Sequence, residues 1–277
     1  LDPVLRRNAW IVAGLAALCL RAALPATQPA PGGPLLPRCG SSTALSGTSM
    51  ALSGTPTADS KPSMADAAHW VDEGKRSFQA APLTSAAAVL TACAGDPATG
   101  FDCSYQAARA YLYLSYVYEL AGHKSQARAC LDPATRWAKE AASRRPSSAG
   151  AHCVLAEVYG RRVLLGDAFT ALRFGPMNGS ETAAALRLAP DDPQVLEAQG
   201  LRFLYAPALF GGDPGKAQRC FEASLARADS DYVRYFLSLA LAKEGQAAAA
   251  RLALLKAHGM NPSNGLVNAA LAAETRP

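Results

Sequence analysis

The stretch YFLSLALAKEGQAAAARLALLKAHGMNP, residues 235–262, decides the fold. Gly245 separates two apolar, helix-favouring segments. Leu237 and Leu241 lie one turn apart on the first, and Ala250, Leu254 and Ala257 share a face of the second. Pro262 ends the second segment, because proline has no N–H to donate and its ring collides with the preceding turn. The pattern predicts two antiparallel helices joined by a glycine turn and closed by proline.

Working outward, the same plan recurs four more times. Trp70, Gly74, Ala86, Leu90 and Pro97 make a first unit, with Glu73 and Ser77 at otherwise apolar places. Tyr111, Leu114, Ser115 and Tyr118 open a second, followed by Gly122, Ala127 and a late Pro146. His152, Leu155, Ala156 and Tyr159 open a third, closed by Pro190, and Leu196, Gly200, Phe203, Ala217 and Phe221 form a fourth. Small residues recur where two helices must approach closely, and large ones where neighbouring hairpins leave a groove. The pattern resembles the tetratricopeptide repeat, W-x2-L-G-x2-Y, then A-x3-F, then a closing proline. The expected fold is therefore all-α, a tetratricopeptide-like helical-hairpin array of about five irregular repeats.

The first-helix anchors stand at 70, 111, 152, 196 and 234, giving intervals of 41, 41, 44 and 38. The ordinary unit is about 34 residues. The surplus is expected between or within the second helices, around 130–136, 163–180 and 206–215. Phe174-Gly175-Pro176-Met177-Asn178-Gly179 reads as turn chemistry. The stretch LYAPALFGGDPGKA, residues 204–217, looks like the F-G-G-D-P-x-K-A signature of a subset of bacterial exported tetratricopeptide proteins. That subset includes the accessory subunit family associated with periplasmic TRAP-type transporters. Physically, Phe210 leads into Gly211 and Gly212, which permit a tight reversal; Asp213 then caps a helix with Pro214 in its first turn.

Three parts follow: residues 1–26, 27–63 and 64–277. The first has Arg6 and Arg7, an apolar run over 9–20 and a small-residue exit, as a secretory signal or N-terminal anchor does. Residues 27–63, rich in Pro, Gly, Ser and Thr, read as a flexible linker ending at Ser63, a candidate helix cap. From this front end the expected location is the periplasm or cell envelope, with N-terminal membrane attachment as an option.

The seven cysteines include no C-x-x-C pair, so neither a zinc knuckle nor a dithiol redox site is indicated. Two readings of Cys93 and Cys103 stay open: small buried hydrophobes, or a disulfide across a short loop in an oxidising compartment. The four histidines have no metal-ligand spacing, and nucleophile elbow, P-loop and dinucleotide fingerprint are all missing. Neither cofactor nor metal is expected, and no constellation supports an enzyme. The net charge is +5, from 27 basic and 22 acidic residues, without a basic run or stripe, which argues against nucleic acid.

Binding is what remains. In repeat hairpins of this kind the first helices line the concave face. Here that face would expose Arg109, Leu112, Tyr116 and Glu119, then Glu157 and Arg161, then Glu197, Leu201 and Tyr205, and finally Tyr232, Tyr235 and Lys243. Arginine and tyrosine suit recognition of another protein or peptide. The alternative is an accessory subunit of a TRAP-type transporter that handles a small ligand, with an oligomer built through the insertions.

Overall fold

The computed structural model describes residues 62–274, and they form an all-helical array. The apolar run over 9–20, nearly all of the linker, Cys19 and Cys39 lie outside the described residues. Eleven α-helices follow in order: α1 (Met64–Ser77), α2 (Ala80–Cys93), α3 (Gly100–Leu120), α4 (Lys124–Arg144), α5 (Ala149–Leu165) and α6 (Ala168–Leu188). Then come α7 (Pro193–Tyr205), a short 3-10 turn (Ala208–Phe210), α8 (Pro214–Leu225), α9 (Asp231–Lys243), α10 (Ala247–Met260) and α11 (Gly265–Glu274).

Helix starts follow side-chain chemistry. Ser63 and Asp66 form a reciprocal capping box at α1. Ser148, Asp167, Asp192, Asp213 and Ser230 cap α5, α6, α7, α8 and α9, each accepting from a first-turn N–H. Pro193 and Pro214 occupy the first turns of their helices, where no N–H is needed. Gly122 and Gly245, with φ of 80° and 76°, make the left-handed turns after α3 and α9.

Helices pair consecutively into five hairpins: α1 with α2, α3 with α4, α5 with α6, α7 with α8 and α9 with α10. Each first helix also touches the first helix of the next hairpin, and α11 packs on α10 and α3. The crossing inside each hairpin needs a small residue. Counting four residues on from each anchor gives Gly74, Ser115, Ala156, Gly200 and Ser238, all buried. The need is steric: a methyl group on Gly74 would sit 2.4 Å from Leu83 Cγ, and one on Gly200 2.5 Å from Phe221 Cε1.

The long intervals are helix rather than loop. α3, α4 and α6 each run for 21 residues. The expected turn at 174–179 is corrected: it lies inside α6, with Pro176 in the helix interior. Packing overrides the local preference. Phe174 stacks on Tyr159 with centroids 5.6 Å apart, and the Asn178 amide donates to the Ala156 carbonyl at 2.7 Å. α4 likewise carries Pro133 in its interior, beside a clamp in which Arg162 donates to Thr135 Oγ1, the Leu131 carbonyl and Asp132. Only the third surplus, 206–213, is a loop. Gly211 takes φ 83°, and Asp213 caps α8 through the Lys216 N–H at 2.9 Å. At Gly212 a methyl group would lie 1.7 Å from the Ala206 carbonyl oxygen, so the reversal requires glycine there.

Cys93 and Cys103 are bonded, with sulfurs 2.08 Å apart and Cα atoms 5.9 Å apart. The bridge fastens the last residue of α2 to the first turn of α3, and so the first hairpin to the second.

The array also closes. The Asn261 amide, after α10, donates to the Arg76 carbonyl at 3.0 Å at the end of α1. Gly265 fits so closely that a methyl group there would lie 2.9 Å from Phe78 Cβ and 3.2 Å from Leu120 Cδ1. The fifth hairpin thus returns to the first two.

Candidate functional site

The inner face is built from one register of the first helices. Five residues on from each anchor stand Lys75, Tyr116 and Glu157 in the first three units. Glu157 on α5 accepts two hydrogen bonds at one oxygen, from Tyr116 Oη on α3 at 2.9 Å and Tyr232 Oη on α9 at 2.8 Å. Tyr232 meets Tyr113 and Tyr116 edge-on, and the Lys75 ammonium lies 4.6 Å from its ring centre and 5.4 Å from that of Tyr113. Four helices, α1, α3, α5 and α9, therefore converge on Tyr232.

Towards one end of the face, Arg161 stacks on Tyr116 at 3.9 Å, pairs with Glu119 at 2.7 Å and donates to the Ser115 carbonyl at 3.3 Å. Tyr205 and Tyr235 lie beside this group, and Lys243 donates to the Leu204 carbonyl at 2.6 Å. Elsewhere on the face, Arg109 pairs with Asp72 at 2.9 Å and lies over Tyr105 and Tyr113. Glu197 comes in from α7.

Electrostatics follow from this enclosure. Burial, then the Glu157 carboxylate, holds the Tyr116 and Tyr232 phenols well above their usual range, so both act as donors. Burial, opposed by Lys75 and reinforced by Glu157, pushes Glu197 up to about 7. Burial works against the Lys75 charge, but Tyr113, Glu197 and Glu157 outweigh it and raise its pKa overall. Burial and then Glu197 push the Cys153 thiol up, the opposite of what activates a nucleophile.

The expected exposure of this face needs correction. Tyr116, Arg161 and Tyr232 are only 5%, 4% and 2% exposed, and Leu112 and Leu201 are buried with them. Arg109, Glu119, Glu157, Glu197, Tyr205 and Tyr235 are half-buried, and Lys243 is exposed. Helical register tells which side chains point inward. It does not tell how tightly the array winds, and here α9 crosses over to α1 and α3 and fills the concavity with the chain's own side chains. Lys75 did not figure among the expected residues, although the register that selected Tyr116 and Glu157 selects it too.

Other candidates resolve into structure. His152 joins Glu181 at 2.6 Å and the Pro146 carbonyl at 2.9 Å, tying α5 to α6 and to the preceding turn. Leu209 and Phe210 in the 206–213 loop are exposed. Among the described residues, no group of His, Cys, Asp and Glu could hold a metal ion, and no helix is long and apolar enough to cross a membrane. A shallow hollow between α4, α5 and α6 is lined by Arg128, Asp132, Arg162 and Thr170, but both arginines are committed to neighbouring carbonyls.

This chain has a counterpart among solved structures. It is similar to the crystal structure of a thermophilic TPR protein in Thermus thermophilus, with a TM-score of 0.56 and 20% identity. The likeness covers 75% of this chain and 98% of that one. The fold is a tetratricopeptide-type array. No protein-family model matches the chain, and no curated protein does. The tetratricopeptide architecture accounts for the hairpin order, the small residues at each crossing and the inward-facing first helices.

Proposed function

We propose that this tetratricopeptide-type array is a non-catalytic protein-binding scaffold of the cell envelope. One observation carries the reading: the first helices gather Arg161, Glu119, Tyr205 and Tyr235 into one polar-aromatic mouth, partly open to solvent. The centre of the inner face is tied up by its own hydrogen bonds, so a partner engages this mouth rather than a long open groove. Tyr205 and Tyr235 there supply contact area at modest entropic cost, over the buried Arg161 that pairs with Glu119. Repeat arrays of this type are suited to such work because adjacent hairpins build one continuous surface. The partner is another protein or a peptide.

The test is a photo-crosslinking amino acid placed at Tyr235 and, separately, at the exposed Leu252 on α10 as a control. A discrete protein adduct at 235 that is missing at 252 is expected. Identical patterns at the two positions, or no adduct at 235, would overturn the reading.

The envelope location rests on the signal-like segment before residue 27 and is supported by the Cys93–Cys103 bridge, which persists in oxidising compartments. Fractionation of cells producing the full chain should put it outside the cytoplasm. A second reading, an accessory subunit of a TRAP-type transporter, is supported by the resemblance of residues 204–217. It requires a closed oligomer with a through-channel, and a strict monomer by light scattering would remove it.

A further inference from the structure

The second helices of the second and third hairpins carry exposed hydrocarbon and uncompensated positive charge side by side. On α4, Arg128, Asp132, Arg136 and Lys139 fall on one exposed face at spacings of three and four residues, and Lys124 stands at its start. On α6, Phe169, Leu172 and Arg173 share an exposed face, with Phe169 83% and Leu172 72% open to solvent. The two faces adjoin. Arg128 and Asp132 line one hollow with Thr170. Arg162 on α5 then reaches from Asp132 and Thr135 on α4 to the Phe174 ring on α6, 5.0 Å away.

Among the described residues, Lys124, Arg128, Arg136, Lys139 and Arg173 enter no ion pair. The carboxylates close by are engaged: Asp132 holds Arg162, Glu140 holds Arg144, and Asp167 caps α6. Scattered along the chain, the five cations make no run in the sequence; the fold gathers them. The surface thus offers positive charge to anions and two bulky side chains to hydrocarbon. A nucleic acid or an acidic polypeptide would answer the cations, but Phe169 and Leu172 would stay in water unless it also brought a fitted pocket for each. A lipid bilayer supplies both without fitting: anionic headgroups at its surface and acyl chains just beneath.

We propose that this face of α4 and α6 docks on an anionic lipid surface, Phe169 and Leu172 dipping below the headgroups and the five cations lying against the phosphates. The face is built from second helices, whereas the mouth at Tyr235 is built from first helices. Docking therefore goes beyond the protein-binding reading and does not depend on it.

The experiment uses the full chain carrying Phe169→Trp. It is titrated with vesicles of equal parts phosphatidylglycerol and phosphatidylcholine, and with vesicles of phosphatidylcholine alone, all with brominated acyl chains that quench tryptophan on contact. Emission is read against the parent chain, which accounts for the native tryptophans and for any attachment through the N-terminal part. Leu252→Trp, on the exposed face of α10, is the control site. The anionic vesicles should quench Phe169→Trp and the neutral ones should not, while Leu252→Trp responds to neither. Adding Arg136→Glu and Lys139→Glu should raise the half-saturating lipid concentration roughly tenfold or more, whereas Arg251→Glu with Lys256→Glu on α10 should shift it less than about twofold. All of these side chains are exposed, so the variants should keep the fold, which circular dichroism checks. The proposal is overturned if Phe169→Trp is not quenched, if Leu252→Trp is quenched equally, if neutral vesicles serve as well, or if the reversal at 136 and 139 changes nothing. A protein crosslinked at 169 in place of lipid insertion would overturn it too. None of these outcomes bears on crosslinking at Tyr235, so the two readings fail separately.

Discussion

A methyl group added at Gly200 would lie 2.5 Å from the Phe221 ring, which is fully buried and cannot swing away. Gly200→Ala should therefore cost about 1–3 kcal/mol in chemical denaturation, as overpacking does. Gly259, near the end of α10, has nothing within 4 Å of an added methyl, and Gly259→Ala should instead gain about 0.5–1 kcal/mol. Glu197 gives a pH prediction. Its folded pKa, about 7, is raised above the ordinary carboxylate value, so between roughly pH 4.5 and 7 the folded state holds more protons than the unfolded one. Its contribution to stability is thus most favourable below that window and falls as pH rises through it. Glu197→Gln should remove this fall: melting curves of variant and parent should diverge at pH 8, with the variant higher, and converge towards pH 5. The small residues at the crossings were legible in the sequence because steric need leaves a residue-type signature. Whether Tyr116 or Tyr232 is exposed left no such signature, since tyrosine serves both a surface and an interior with a hydrogen-bond partner.

At the scale of elements, the misjudged stretch is the middle of α6. Gly175 and Pro176 are local breakers, yet the helix runs through them because Phe174 and Asn178 are anchored on α5. Local propensity sums over neighbours in sequence, and the anchor is a neighbour in space. Pro176 itself is exposed, so the helix carries the cost of a missing hydrogen bond without a packing return from the ring. Pro176→Ala should restore that bond and raise stability by about 1–3 kcal/mol. The Cys93–Cys103 bridge closes a sequence separation of 10 between two helices. Its reduction should lower stability by roughly 2–3 kcal/mol, seen as a lower denaturation midpoint in reducing buffer. The alternatives open in the sequence at those cysteines were a matter of geometry, which spacing alone does not supply.

At the scale of the array, hairpin number, hairpin order and register were readable, since each depends on periodicity, whereas α11, which follows Pro262 and repeats no earlier unit, was not. The closing contact was not, because it joins positions far apart in the chain. Asn261 reaches Arg76 across a separation of 185 residues, and the same amide bonds Asp231 at 2.8 Å. Asn261→Ala should loosen this seam, and hydrogen exchange should quicken at residues 76–78 as well as around 261. An open solenoid unzips from its ends, each repeat leaning only on the next. Here both terminal hairpins lean on one another, so neither end is free to fray first. Repeat proteins built from local contacts fold quickly, whereas a pairing between remote segments must wait for the intervening chain to be arranged. The seam at Asn261 should therefore form late, and stopped-flow kinetics of Asn261→Ala should show faster unfolding with the refolding rate nearly unchanged.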